Sequence, residues 1–145
     1  MSHIARNITV HSRAEKVFDL INDPDRAGEM NPQLKLLSHS PSQIGGYDST
    51  WEYKMAGKKF SGNTKVTEYK KPKRVVFETT GGIPSHWEWT LTSEDFMTTD
   101  VSLSLDYTVP GSLLGAIADK LVIERQNEKV IEQQLANLKR MAERN

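Results

Sequence analysis

The chain has 145 residues, with 19 Lys and Arg balancing 19 Asp and Glu, and no cysteine. That length suits a single domain, residues 1–145, able to bury a core without disulfides or a structural metal. The charge balance offers no field for nucleic acid, the missing thiols exclude disulfides and cysteine chemistry, and no apolar run nears the ~20 residues of a membrane span, so neither a nucleic-acid partner nor stable membrane insertion is expected.

In chain order, Ile4, Arg6, Ile8 and Val10 alternate with mostly polar neighbours and predict a first strand. The opening MSHIARNITVHS has this strand pattern and not the apolar core of a signal peptide, so a cytoplasmic location is expected. Ser12-Arg13-Ala14-Glu15 fits a capping box at the start of a helix whose buried side is Val17, Leu20 and Ile21. Asp23-Pro24 starts a second short helix, and Asn31-Pro32 ends it.

From Leu34 to Val109 the apolar period becomes two, punctuated at Gly45-Gly46, Ala56-Gly57, Lys71-Pro72 and Gly81-Gly82-Ile83-Pro84. This predicts about six strands joined mostly as hairpins. Parity assigns Tyr47, Ser49, Trp51, Tyr53 and Met55 to one face of their strand. It similarly selects Phe60, Gly62, Thr64 and Val66, then Val75, Phe77 and Thr79, then Trp87, Trp89 and Leu91, then Val101, Leu103, Leu105, Tyr107 and Val109. The strand around Leu34, Leu36 and Leu37 has ambiguous parity. The basic cluster Lys70, Lys71, Lys73 and Arg74 flanks Pro72 and reads as a solvated turn.

Ser112 to Glu143 reads as one uninterrupted closing helix. Leu114, Ile117, Leu121, Ile131, Leu135, Leu138 and Ala142 share a face, and Glu124 and Glu128 interrupt it. The fold class that follows is α+β, a curved antiparallel sheet of about seven strands wrapped around a long C-terminal helix, with two short helices after the first strand. A thin second stripe, Ile123, Val130 and Met141 with Asn137 between, lies on the back of the helix and could contact a second subunit in a homodimer.

This order of elements, with the stretches FDLINDPDRAGEMNP, Val66-Thr67-Glu68 followed by Pro72, and VPGSLLGAIADK…LANLKRMAE, resembles the START-like (SRPBCC) superfamily with its helix-grip fold. The nearest resemblance is to its polyketide cyclase/dehydrase and lipid-transport branch. It implies a deep, largely apolar pocket between sheet and helix for a hydrophobic small molecule such as a lipid, isoprenoid or polyketide, and no cofactor. On that expectation the ligand-contacting residues are Trp51, Tyr53, Phe60, Phe77, Trp87, Trp89, Tyr107, Leu114, Ile117, Leu121, Glu124 and Glu128. Each ring could equally fill the core.

Glu124 and Glu128 are neighbours on the helix and repel when both are ionised. Inside a dry cavity one of them would keep its proton near neutral pH and could act as hydrogen-bond donor or general acid, with Tyr53 and Tyr107 as the other weak catalytic candidates. Alternatively both acids meet water, or pair with Lys120 and Arg125 on their own helix. His3, His11, His39 and His86 are scattered without ligand spacing, so no metal site is expected. Three function classes stay open: a binding or transport module, a cyclase or dehydratase working without cofactor, and a protein-interaction module of the chaperone-activator type.

Overall fold

The computed structural model describes residues 1–115 and 119–144. Seven strands, β1 (Ser2–Val10), β2 (Leu34–Pro41), β3 (Tyr47–Met55), β4 (Lys58–Lys70), β5 (Arg74–Gly81), β6 (Ser85–Asp95) and β7 (Thr98–Tyr107), form one antiparallel sheet in the order β1-β7-β6-β5-β4-β3-β2. Hairpins join β2 through β7, and β1 closes against β7 from Ser2 opposite Tyr107 to Val10 opposite Thr99. Helices α1 (Ala14–Ile21) and α2 (Ala27–Met30) bridge β1 and β2, with a 3-10 turn at Pro24–Arg26 between them. The closing helix α3 (Lys120–Glu143) packs against β1, α1 and α2, completing the helix-grip fold.

Val17, Phe18 and Ile21 from α1, Val101 and Leu103 from β7, and Ile123, Ile131, Leu135, Leu138 and Met141 from α3 belong to one buried cluster. Each such side chain contributes about 1.5–3 kcal/mol through burial, which fixes α3 across the sheet. Asn137 couples α3 to α2, since its Nδ2 donates to the Met30 carbonyl at 3.0 Å. Among the described residues no helix is long and apolar enough to cross a membrane.

Two expected helix starts are placed differently. Ser12 makes no capping box; α1 begins after Arg13 without a side-chain cap, and the Ser12 carbonyl instead accepts from Thr99 Oγ1 at 2.8 Å. The closing helix does not run from Ser112. A 3-10 turn at Gly111–Leu113 leads to Gly115 at φ 78°, a left-handed conformation that a right-handed helix cannot contain. Asp119 then caps α3, its carboxylate accepting from the Val122 N–H at 2.9 Å.

The face assignment of α3 changes with its start. Its buried residues are Ile123, Asn127, Ile131, Gln134, Leu135, Asn137, Leu138, Met141 and Ala142. Leu121 is 55% exposed and Leu114, outside the helix, 40% exposed, while Ile117 lies outside the described residues. Most of the supposed back stripe is therefore part of the inner face: Ile123, Asn137 and Met141 are buried within their own chain, and Val130 is half-buried.

Candidate functional site

The inner faces of β2 to β7 do not close fully onto α3, and the gap between them is a cavity offering about 130 Å³ to the centres of water-sized molecules. Its wall comes from six strands, α1, α2 and the middle of α3. Trp51, Tyr53, Phe77, Trp87, Trp89 and Tyr107 supply the rings, and Ile21, Met30, Leu34, Leu36, Val66, Ile83, Leu105 and Ile131 supply aliphatic surface. No Asp, Glu, Lys, Arg or His lines it among the described residues.

Strand alternation explains most of this wall, because every second residue of β3 from Tyr47 to Met55 reaches it. The ambiguous strand β2 resolves with Leu34 and Leu36 inward; a bulge between Leu36 and Ser38 turns Leu37 out to solvent, and His39 is exposed with it. Room for the Trp51 indole comes from Gly62 on the neighbouring strand. A Cβ there would meet the indole ring at 2.5 Å and the Thr80 carbonyl at 2.3 Å. Phe77 and Trp87 stack with centroids 5.6 Å apart, and Trp87 Nε1 donates to Ser85 Oγ at 2.9 Å.

The polar groups of the wall are neutral. Asn31, at the end of α2, donates from Nδ2 to Gln134 Oε1 at 3.0 Å and to the Tyr53 hydroxyl at 3.5 Å. Asn127 donates from Nδ2 to the Tyr107 hydroxyl at 3.1 Å and to Met55 Sδ at 3.6 Å. The Trp51 indole N–H is buried without a partner among the described residues. Burial pushes the Tyr53 and Tyr107 hydroxyls above their ordinary pKa; the bonds from Asn31 and Asn127 oppose that rise, and the charges of Glu124 and Glu128 add to it at Tyr107. Burial and the charge of Asp23 raise Tyr47 to about 12. All three phenols are therefore uncharged at neutral pH and give up their protons less readily than a free tyrosine.

On α3, the cavity-lining positions that the reading of the sequence missed, as it missed Asn31 on α2, are Asn127 and Gln134. They lie seven residues apart on the buried side of α3, in phase with Ile123, Ile131 and Leu138. Phasing the helix on those three residues identifies them. Phasing it on Leu114 and Leu121 selects the acids.

Glu124 and Glu128 do not line the cavity. They border a separate hollow with Ser2, His3, Ile4, Tyr107, Leu121 and Arg125. Ser2 Oγ donates to Glu124 Oε2, and Arg6 of β1 reaches Glu128 at 3.8 Å and Glu132 at 3.2 Å. These partners come from β1 across the sheet edge, and not from Lys120 or Arg125 of the same helix, the pairing that was one of the alternatives. Among the described residues Tyr107 is the one wall residue shared by the two hollows. Phe60 is half-buried but off the cavity wall, with Lys58 Nζ 5.8 Å from its ring centre.

Other charged side chains pair with one another away from the cavity. Arg74 donates to Glu68 at 2.9 Å, to Glu88 at 2.6 Å and to Thr90 at 3.1 Å, while His86 meets Glu78 at 3.2 Å. Lys71 pairs with Asp19 of α1 at 3.0 Å and Lys70 reaches Glu68 at 3.8 Å, so three of the cluster's basic residues, with Arg74, are engaged in ion pairs within the chain.

Residues 1–143 match the model of the polyketide cyclase / dehydrase and lipid transport family. The chain belongs to this family. Solved structures similar to this family member include a START superfamily protein from Mycobacterium smegmatis, at 13% identity and a TM-score of 0.77, with 97% of each chain covered. The Zhui aromatase/cyclase from a Streptomyces species is similar at 15% identity and a TM-score of 0.75, covering 99% of this chain and 94% of that one. A Thermus thermophilus protein is similar at 20% identity and a TM-score of 0.74, covering 96% and 95%. At such identities these likenesses carry the fold. No curated protein matches the sequence.

Proposed function

We propose that the chain binds or carries an uncharged hydrophobic small molecule, of lipid, isoprenoid or polyketide type, in the cavity between the sheet and α3. One observation carries this reading: a wall of rings and aliphatic side chains that holds neutral amides, hydroxyls and phenols and, among the described residues, no charged group. Such a wall favours planar apolar surface through burial and ring stacking. A carboxylate or phosphate would lose its hydration there without gaining a cation.

The cyclase or dehydratase alternative has less support from the geometry. Moving protons to and from a carbonyl needs groups that exchange them near neutral pH. The carboxylates that could do so lie in the other hollow, and the phenols facing the cavity hold their protons. The interaction-module reading loses most of the apolar stripe on which it rested, since of its apolar residues only Val130 is part-exposed.

Native mass spectrometry of freshly purified protein, with titration by the uncharged dye Nile red, tests the binding reading. The expected result is a bound apolar mass, or saturable dye binding that quenches the emission of Trp51, Trp87 and Trp89. An empty protein that also ignores the dye would count against it.

A further inference from the structure

Hydrogen-bond polarity at one end of the cavity specifies what the ligand must present. The backbone N–H of Gln33 donates to Asn31 Oδ1 at 3.1 Å. A backbone N–H can only donate, so this contact fixes which end of the Asn31 amide is the carbonyl. The Asn31 NH2 must then donate, and its two recorded acceptors are Gln134 Oε1 at 3.0 Å and the Tyr53 oxygen at 3.5 Å. With Oε1 turned toward Asn31, the Gln134 NH2 points elsewhere. With its oxygen accepting from Asn31, the Tyr53 O–H must direct its proton elsewhere too.

Neither of these two donors meets a protein acceptor among the hydrogen bonds of the described residues. Gln134 is 5% exposed and lines the cavity, as do Tyr53 and Asn31. Asn31 is held in turn by the short helix α2, which Asn137 ties to α3 through the Met30 carbonyl. The seat is thus two donors flanking one amide, at the edge of an apolar chamber without a charged residue in its wall. Unpaired donors in such a place favour whatever acceptor the occupant brings.

We propose that Tyr53 and Gln134, held by Asn31, form a paired-donor seat for the carbonyl oxygen of an uncharged ligand, such as a ketone, quinone or ester. This deepens the binding function proposed above and rests on it. An uncharged oxygen with two lone pairs suits the seat because each donor takes one of them. A pure hydrocarbon would fill the chamber and leave both donors unpaired. The burial that raises Tyr53 keeps it a donor across the neutral range.

Fluorene and 9-fluorenone form a matched probe pair, alike in planar shape and differing by one carbonyl. Calorimetry, supported by quenching of the three cavity tryptophans, reads both affinities. The expected result is about tenfold or more tighter binding of fluorenone, as one well-placed hydrogen-bonded group allows. In Gln134→Leu and Tyr53→Phe, checked for folding by thermal melts, the preference for fluorenone over fluorene falls to within about twofold, each variant's own fluorene affinity serving as its reference. The infrared carbonyl stretch of fluorenone bound to the unaltered protein, expected at lower frequency than in hexane, tests the same seat without any substitution. Equal affinity for the two probes, or a hexane-like stretch in the complex, overturns the seat and leaves the cavity reading standing. Failure of both probes to bind overturns the cavity reading and the seat with it.

Discussion

Two hollows of the molecule share Tyr107 and differ in nearly everything else. One is lined by rings, aliphatic chains and neutral amides; the other, beside β1 and the start of α3, is bordered by Glu124, Glu128, Arg125 and His3. Helix phase separates them. Asn127 and Glu128 are adjacent in sequence, yet the ~100° turn between consecutive residues sends one into the chamber and the other toward Arg6 of β1. A polar residue on a helix becomes a ligand contact or a solvated ion according to its neighbours across the gap, and its own chemistry does not decide this.

The largest effect that would sharpen this contrast is at Trp89, 1% exposed and part of the inner wall. Trp89→Ala is expected to lower stability by about 3–5 kcal/mol in urea denaturation, since a large ring leaves a void behind. A loss under about 1 kcal/mol would mean the wall is much looser than its burial implies.

Next in size is alkaline unfolding. Tyr47 titrates near 12 in the folded protein and near its ordinary 10 when unfolded. Between those values the unfolded chain has released a proton that the folded chain retains, so stability falls as pH rises from 10 to 12. Two pKa units correspond to roughly 2–3 kcal/mol from this group. Tyr53 and Tyr107, both shifted upward, act in the same direction. Melting temperatures of Tyr47→Phe and the unaltered protein at pH 9 and pH 12 should diverge at the higher value, with the variant losing less; parallel losses would remove Tyr47 as the cause.

A smaller effect is expected from Phe77→Ala, which removes one member of the stack with Trp87. Nile red affinity should fall about tenfold, in line with the ~0.5–1.5 kcal/mol of an aromatic pair plus lost contact area. Unchanged affinity would place the dye away from this wall. The smallest effect is expected at the polar hollow. Glu124→Gln replaces the carboxylate that accepts from Ser2 and should cost about 1 kcal/mol in stability or less, with dye affinity within twofold. A tenfold loss of binding there would break the separation between the hollows and bring the acids back into the ligand site.

Much of this architecture can be read in the sequence because strand parity is a strong signal on a sheet with one wet face. Tyr47, Ser49, Trp51, Tyr53 and Met55 all reach the cavity as alternation predicts, and six of the seven expected ring contacts line it. Parity gives out where a bulge adds a residue, as between Leu36 and Ser38, since the two sides of the bulge obey opposite rules. Phe60 fails for a different reason: it stands opposite Tyr53 on the same face of the sheet, yet it packs against the core without lining the cavity.

The helix was harder. Leu114, Ile117 and Leu121 continue an apolar spacing back from Ile131, and Gly115 and Asp119, the break and the cap, are short signals inside that long pattern. Starting the helix too early rotates the apparent face onto Glu124 and Glu128 and hides Asn127 and Gln134. The partners of the acids could not be read locally either, because Ser2 and Arg6 lie more than a hundred positions away in the chain.

Gly62 gives the chamber a property that no lining side chain controls. Trp51 rests where a Cβ would stand, hard against the main chain of the adjoining strand. The depth of the chamber at that point is therefore a dimension of the backbone itself. Exchanges at Phe77, Leu36 or Ile131 can reshape the outline of what fits, whereas the roof over Trp51 can be lowered only by displacing a strand.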